Sequence, residues 1–153
     1  MFFTNEDRSW MEVALNEASN SSTFGEVPVG AVITDGNTLL ARAGNRPITT
    51  SDPTSHAEIN AIRIAAAKLG NYRLTGTTLY VTLEPCIMCM GALIHARIER
   101  LVFGAADPKS GAAVSRYRIG SDNLLNHTLN VEGGLLENEC ASLLKSFFQN
   151  RRV

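Results

Sequence analysis

Apolar residues recur along this chain with two periods, and the switches between them mark out alternating helices and strands. From Thr4 to Ala18 the spacing is helical, at Trp10, Met11, Ala14, Leu15 and Ala18, and Thr4 with Asp7 has the spacing of a capping pair. Val27 to Ile33 is an apolar run that predicts a strand, with Pro28 confined to its start or to an edge. Asp35-Gly36-Asn37 is a turn, so Thr38 to Ala43 is expected to return as the hairpin partner. Asn45-Arg46-Pro47 opens an irregular stretch. Ser55 to Leu69 predicts a second helix, apolar at Ile59, Ile62, Ala66 and Leu69, with Ser55 as its cap and Gly70 as its stop. Leu79 to Leu83 follows as a strand, Cys86 to Ile98 as a helix entered at Pro85, and Leu101 to Gly104 as a strand. Residues 107 to 126 carry no clear period. Thr128 to Val131 and Leu135 to Arg152 complete the set as strand and helix. Strands alternating with helices predict an α/β layered domain.

Length and composition narrow this picture. The chain has 153 residues, 44% of them hydrophobic and 19% charged, which fits one domain, 1–153, with one sizeable core. A net charge of −1 gives no global basic field for a nucleic-acid coat, although a local basic patch is compatible with it. No apolar run is long enough to span a membrane. The start, Met1-Phe2-Phe3-Thr4-Asn5-Glu6-Asp7, lacks the basic flank and apolar stretch of a signal peptide. Three cysteines, two of them in one C-x-x-C, make no disulfide framework, and a reducing cytoplasm is the expected location.

Two short motifs carry the chemistry: His56-Ala57-Glu58 and Pro85-Cys86-Ile87-Met88-Cys89. Cys86 and Cys89, three apart at a helix start, share one face, and the free N–H groups there favour thiolates. His56 and Glu58 are two apart and reach one point only from the first turn of a helix. Alone, H-x-E fits a capped helix with a buried His and a solvated Glu, and C-x-x-C fits a redox pair or half a zinc knuckle. Joined, they supply one imidazole, two thiolates and a carboxylate left over. A structural zinc site takes four protein ligands, whereas a hydrolytic site takes three and leaves a position for water, whose pKa falls toward about 7. Glu58 is then the group that moves the water's proton to a ring nitrogen and to the leaving amine. H-x-E…P-C-x-x-C is the general pattern of zinc nucleobase deaminases.

The likeness extends beyond the motifs. Glu26 to Val32, Asn45 to Ile48, Asp52 to Glu58, Asn71 to Leu74, Leu79 to His95 and Asp107 to Ala113 resemble bacterial tRNA-specific adenosine deaminases, in register over nearly the whole chain. The resemblance implies hydrolytic conversion of adenosine to inosine at the wobble position of a tRNA anticodon. It implies a homodimer, with one zinc ion per subunit, and a three-layer α/β/α sandwich around a five-stranded mixed sheet of cytidine-deaminase type. It assigns the metal to His56, Cys86 and Cys89 and the proton shuttle to Glu58. It assigns the base to Asn45, the Ala57 backbone N–H and Val29. Ser115 to Ser121 departs from the family's Leu-rich wording. The chain ends at Val153, where some relatives carry a longer basic tail, so weaker RNA affinity with unaltered chemistry is expected.

Phe147, Phe148, Arg151 and Arg152 combine stacking rings with phosphate-binding guanidinium groups and are candidate RNA contacts. The plain alternative packs one Phe into the core and sets the Arg pair at a helix C-terminus. Arg46, Lys109, Arg116 and Arg118 are loop candidates for phosphate. His95 and His127 are expected away from the metal, Cys140 in packing, and Met88 and Met90 in packing or at an interface. Two rival readings stand beside the leading one: a deaminase of a free base or nucleoside, guanine or cytosine in type, and a zinc-stabilised RNA-binding scaffold without turnover.

Overall fold

A computed structural model describes residues 3–151 and contains ten elements. In chain order these are α1 (Asn5–Thr23), β1 (Gly30–Asp35), β2 (Thr38–Gly44), α2 (Pro47–Thr50), α3 (Ala57–Leu69), β3 (Thr78–Leu83), α4 (Ile87–Ala96), β4 (Arg100–Ala105), β5 (Asn130–Gly133) and α5 (Glu137–Arg151). The strands form one mixed sheet in the order β2-β1-β3-β4-β5. β1 runs antiparallel to both β2 and β3, whereas β4 runs parallel to β3 and to β5. A parallel neighbour needs a crossover, and α4 with its flanking turns supplies it between β3 and β4.

Both faces of the sheet are covered, and the period of two along the strands sorts the side chains between them. Ala31 and Ile33 of β1, Leu79 and Val81 of β3, and Leu101 and Phe103 of β4 face α3 and α4. Val32, Tyr80 and Val102 point the other way, toward Met11 and Ala14 of α1 and Cys140 of α5. α3 presents Ala57, Ala61 and Ala65 to the sheet, so its backbone lies close over the strands. On the opposite face α1 crosses β1 at Gly30, where a Cβ would run into the Ala14 carbonyl and the Ala18 N–H.

The Thr4–Asp7 capping box forms as the spacing predicts: Asp7 N–H donates to Thr4 Oγ1 and Thr4 N–H to the Asp7 carboxylate, each at 3.0 Å. Several boundaries differ from the sequence expectation. Val27 to Val29 lie outside β1 because Val29 N–H turns back to the Val27 carbonyl. Ser55 does not cap α3. The cap position falls to His56, and the Ser55 hydroxyl donates to Asn60 Oδ1 instead. α4 stops at Ala96, where Arg97 adopts a left-handed conformation, φ 62°, that lets Ile98 turn into the core. Leu136, φ 51°, delays α5 to Glu137, and β5 starts two residues later than expected. A single turn of helix, α2, interrupts the irregular stretch after Asn45.

One partly buried charged cluster, with Asp7 at its centre, ties the far edge of the sheet to α1. Arg100 donates to both oxygens of Asp7 at 2.8 and 3.1 Å and to both oxygens of Glu132 at 2.7 and 3.3 Å, and the Tyr80 hydroxyl donates to Asp7 at 2.7 Å. The Arg100 guanidinium holds the Asp7 carboxyl well below the ordinary carboxylate range, against the opposing effect of burial. A depressed folded value means stability that is complete above the ordinary value of 3.8 and is lost as pH falls below it toward the lower folded value. Asp7→Asn is therefore expected to cost about 3 kcal/mol near neutral pH. The deficit relative to the parent should shrink below about pH 4; denaturant unfolding across pH checks both.

Candidate active site

Two helix starts meet at one point. β3 ends at Leu83, and Glu84-Pro85 leads straight to Cys86, the cap residue of α4, with Cys89 in that helix's first turn. His56 is the cap residue of α3, in extended conformation, and its side chain makes no capping hydrogen bond. It is turned toward the thiols instead: His56 Nδ1 lies 3.7 Å from Cys86 Sγ and 3.5 Å from Cys89 Sγ. The three donor atoms all lie within 4.8 Å of one another. Zinc bonds of about 2.1 Å to nitrogen and 2.3 Å to sulfur, at tetrahedral angles, place N and S about 3.6 Å apart. The donor set and its spacing therefore fit a zinc-type ion. The hydrogen bond between the thiols holds Cys86 down at about 4 and pushes Cys89 up, and the neighbouring Cys86 raises His56.

Glu58, the second residue of α3, is 3% exposed. Burial pushes its carboxyl up to about 7. Among the described residues no ion pair involves Glu58. A pocket of about 300 Å³ opens over this group. It is lined by His56, Glu58 and Cys86 together with Val27, Val29, Asn45, Leu83, Glu84, Asp107 and Ser110. Asn45 is set there by its backbone, whose N–H donates to the Val29 carbonyl at 3.0 Å. Ala57 is buried, its methyl in the core and its N–H in the first turn of α3, where no intrahelical acceptor exists.

The structure thus brings His56, Cys86, Cys89, Glu58, Asn45 and Val29 to one place. The C-terminal candidates divide. Phe148, 46% exposed, lines a cleft that shares Val27, Leu83, Asp107 and Ser110 with the pocket. Phe147 and Arg151 lie in a different cleft beside Ser22. There the Arg151 guanidinium stacks 4.5 Å over the Phe147 ring and donates to the Gly25 carbonyl. Arg152 falls outside the described residues. Lys109, Arg116 and Arg118 are exposed, and Arg46 stacks over Phe24. His95 is exposed on α4 and His127 bonds the Ile98 carbonyl, both apart from the thiols.

Sequence reasoning missed two further buried carboxylates, Glu84 in the pocket lining and Glu26 behind it. Glu26, 1% exposed, accepts from the Ile48 and Thr49 N–H groups and the Thr49 hydroxyl, and so fixes α2 beside Asn45. Glu84, 2% exposed, accepts only from the segment 107–115. Burial acts to raise both carboxyls, and these hydrogen bonds outweigh it, holding them below the ordinary value. The available signal was position: each Glu stands within an otherwise apolar run, one or two residues before a proline.

A mixed sheet between two helical layers, with a His/Cys/Cys group and a buried Glu at two helix starts, defines a deaminase. The family model of MafB19-like deaminases matches residues 5–152. The chain is 50% identical over 147 residues to the tRNA-specific adenosine deaminase of Haemophilus influenzae, covering 95% of this chain and 85% of that one. It superposes with TM-score 0.86 and 48% identity on a solved structure from work on A-to-I editing by tRNA:A34 deaminases at the wobble position of transfer RNA, covering 89% of this chain and 99% of that one. The chain belongs to the bacterial tRNA-specific adenosine deaminases, a family of hydrolytic deaminases. A guanine deaminase from Nitrosomonas europaea, at TM-score 0.77 and 23% identity over 96% of this chain and 86% of that one, shares the fold. No helix among the described residues is long and apolar enough to cross a membrane.

Metal content tests the donor set directly. Purified protein is expected to hold one zinc per chain, and His56→Ala, Cys86→Ala or Cys89→Ala to lower affinity roughly 100-fold or more, read by titration against a chromogenic chelator.

Proposed function

We propose that the chain, acting as one zinc-dependent domain over 1–153, deaminates adenosine to inosine at the wobble position of a tRNA anticodon. The observation that carries this reading is the buried Glu58 beside three zinc-type donors at a base-sized pocket, in a member of this family. His56 through Nδ1 and Cys86 and Cys89 through Sγ would hold the ion. Zinc, when bound, supplies a Lewis acid that makes water a nucleophile near neutral pH.

The protein's own residues do the rest. Glu58 takes the proton of the water that attacks C6 of adenine. It delivers that proton to N1 and then assists the departing amine, so adenosine and water become inosine and ammonia. Asn45, with one amide donor face and one acceptor face, reads the polar edge of the base. The Ala57 N–H, unpaired within its helix, adds a donor, and Val29 gives the ring an apolar wall. Taking the base out of an anticodon loop is cheap because loop bases are already unpaired. Phe148, beside the pocket, stacks on a neighbouring nucleotide, and Phe147, Arg151 and Arg152 extend the contact along the strand. The working unit is a homodimer in the cytoplasm.

The test is inosine formation in an adenosine-wobble anticodon stem-loop by zinc-loaded protein, with free guanine, cytosine and adenosine alongside. Inosine at the wobble position alone is expected. Ammonia from a free base with an untouched stem-loop would keep the chemistry and overturn the substrate. Glu58→Ala should keep its zinc and lose roughly 10³-fold or more in turnover. Full activity in that variant would remove Glu58 from the mechanism, and zinc retention separates this loss from a collapsed site.

A further inference from the structure

The segment 106–115 has no regular secondary structure, yet it forms one wall of the pocket through Asp107 and Ser110. One buried side chain gathers most of its donors, beside the Ala112 N–H bond to the Pro85 carbonyl at 2.8 Å and the burial of Ala112 and Ala113 in the core. Glu84 Oε1 accepts from the Asp107 N–H at 3.0 Å and from the Ser115 hydroxyl. Its Oε2 accepts from the N–H groups of Ala113, Val114 and Ser115 at 3.1, 2.8 and 2.9 Å. Glu84 joins no ion pair among the described residues. Gly111 lies so close over it that a Cβ would strike the Glu84 carboxyl and the Asp107 carbonyl. The order passes on from there: Asp107 Oδ1 accepts from the Lys109 and Ser110 N–H groups at 3.1 Å each, which sets Ser110 relative to Asp107.

We propose that Glu84 is a positioning residue for the substrate. It gathers five donors from residues 107–115 and so fixes the wall against which the target nucleotide seats, without touching the reacting atoms. The proposal rests on reading this pocket as the nucleotide site. The chemistry demands a carboxylate there. Ionised, it offers acceptors only, about four lone-pair sites that the five donors share. Glutamine keeps the shape but replaces one oxygen by an NH₂ group, which sets donors against donors. The Glu84 backbone is anchored independently, its N–H to the Ala105 carbonyl at 2.8 Å, so removing the carboxylate frees the segment rather than β3.

Two variants and three readouts test this. Glu84→Gln removes the clamp from the β3 side. Ser115→Ala removes one of its five donors from the loop side, far in sequence from Cys86. Amide hydrogen exchange should show Asp107, Ala113, Val114 and Ser115 protected in the parent and exposed in Glu84→Gln, while the Met90 amide of α4 keeps its protection. At full zinc occupancy, KM for the stem-loop should rise about tenfold or more in Glu84→Gln with kcat within about threefold, the pattern of lost binding shared by ground and transition states. Ser115→Ala should move the same way by a smaller factor. A fall in kcat at constant KM, loss of zinc, or unchanged loop protection would each overturn the proposal. If Glu84→Gln does not fold, unchanged KM and loop protection in Ser115→Ala would overturn it too. A parent protein inactive on the stem-loop would instead sink the functional reading and the substrate role with it, while exchange still decides whether Glu84 holds the segment.

Discussion

The starts of α3 and α4 must lie within a few ångströms of each other, because one imidazole and two thiols from residues thirty apart have to address a single point. Packing enforces this. α3 rests on the sheet through Ala57, Ala61 and Ala65, side chains too small to hold it away, and α4 is buried through Cys89, Met90, Leu93 and Ile94. α4 is further fixed by its entry, since β3 runs into it through only Glu84 and Pro85. Both helices therefore present their N-terminal ends, and so the positive ends of their dipoles, to the same spot. That field favours thiolate over thiol before any ion is considered.

The site was legible where its signal is local, and illegible where it is made by distant hydrogen bonds. The spacing of Cys86 and Cys89, and the need for His56 and Glu58 to share a first turn, follow from helix geometry alone, and both elements lie where that geometry requires. The Thr4–Asp7 box is equally local. Ser55 failed as a cap because its hydroxyl goes to Asn60, which also ties the Gly44 and Ser55 carbonyls together. No periodicity reports such a cross-link. The strand over 27–29 failed because the Val29 N–H turns back to the Val27 carbonyl, while the Val29 carbonyl accepts from Asn45 and places that pocket residue. Residues 107–126 were unreadable because much of their order comes from Glu84, more than twenty positions upstream.

The distribution of charge around the pocket bears on what the site can admit. Glu26, Glu58 and Glu84 are all buried near it, in a chain whose net charge is only −1. Three uncompensated anions would repel a polyanionic strand and resist burial. Glu26 and Glu84 escape the penalty by accepting three and five hydrogen bonds, so fixed backbone dipoles rather than cations balance them. Glu58 escapes it by holding a proton more readily than a solvated carboxyl does. No arginine or lysine is drawn into the pocket lining. Lys109, Arg116 and Arg118 are exposed, while the interior keeps the carboxylates that hold its walls. The same division suits the proposed RNA substrate: basic side chains stand at the surface, and hydrogen bonds hold the carboxylates beneath them.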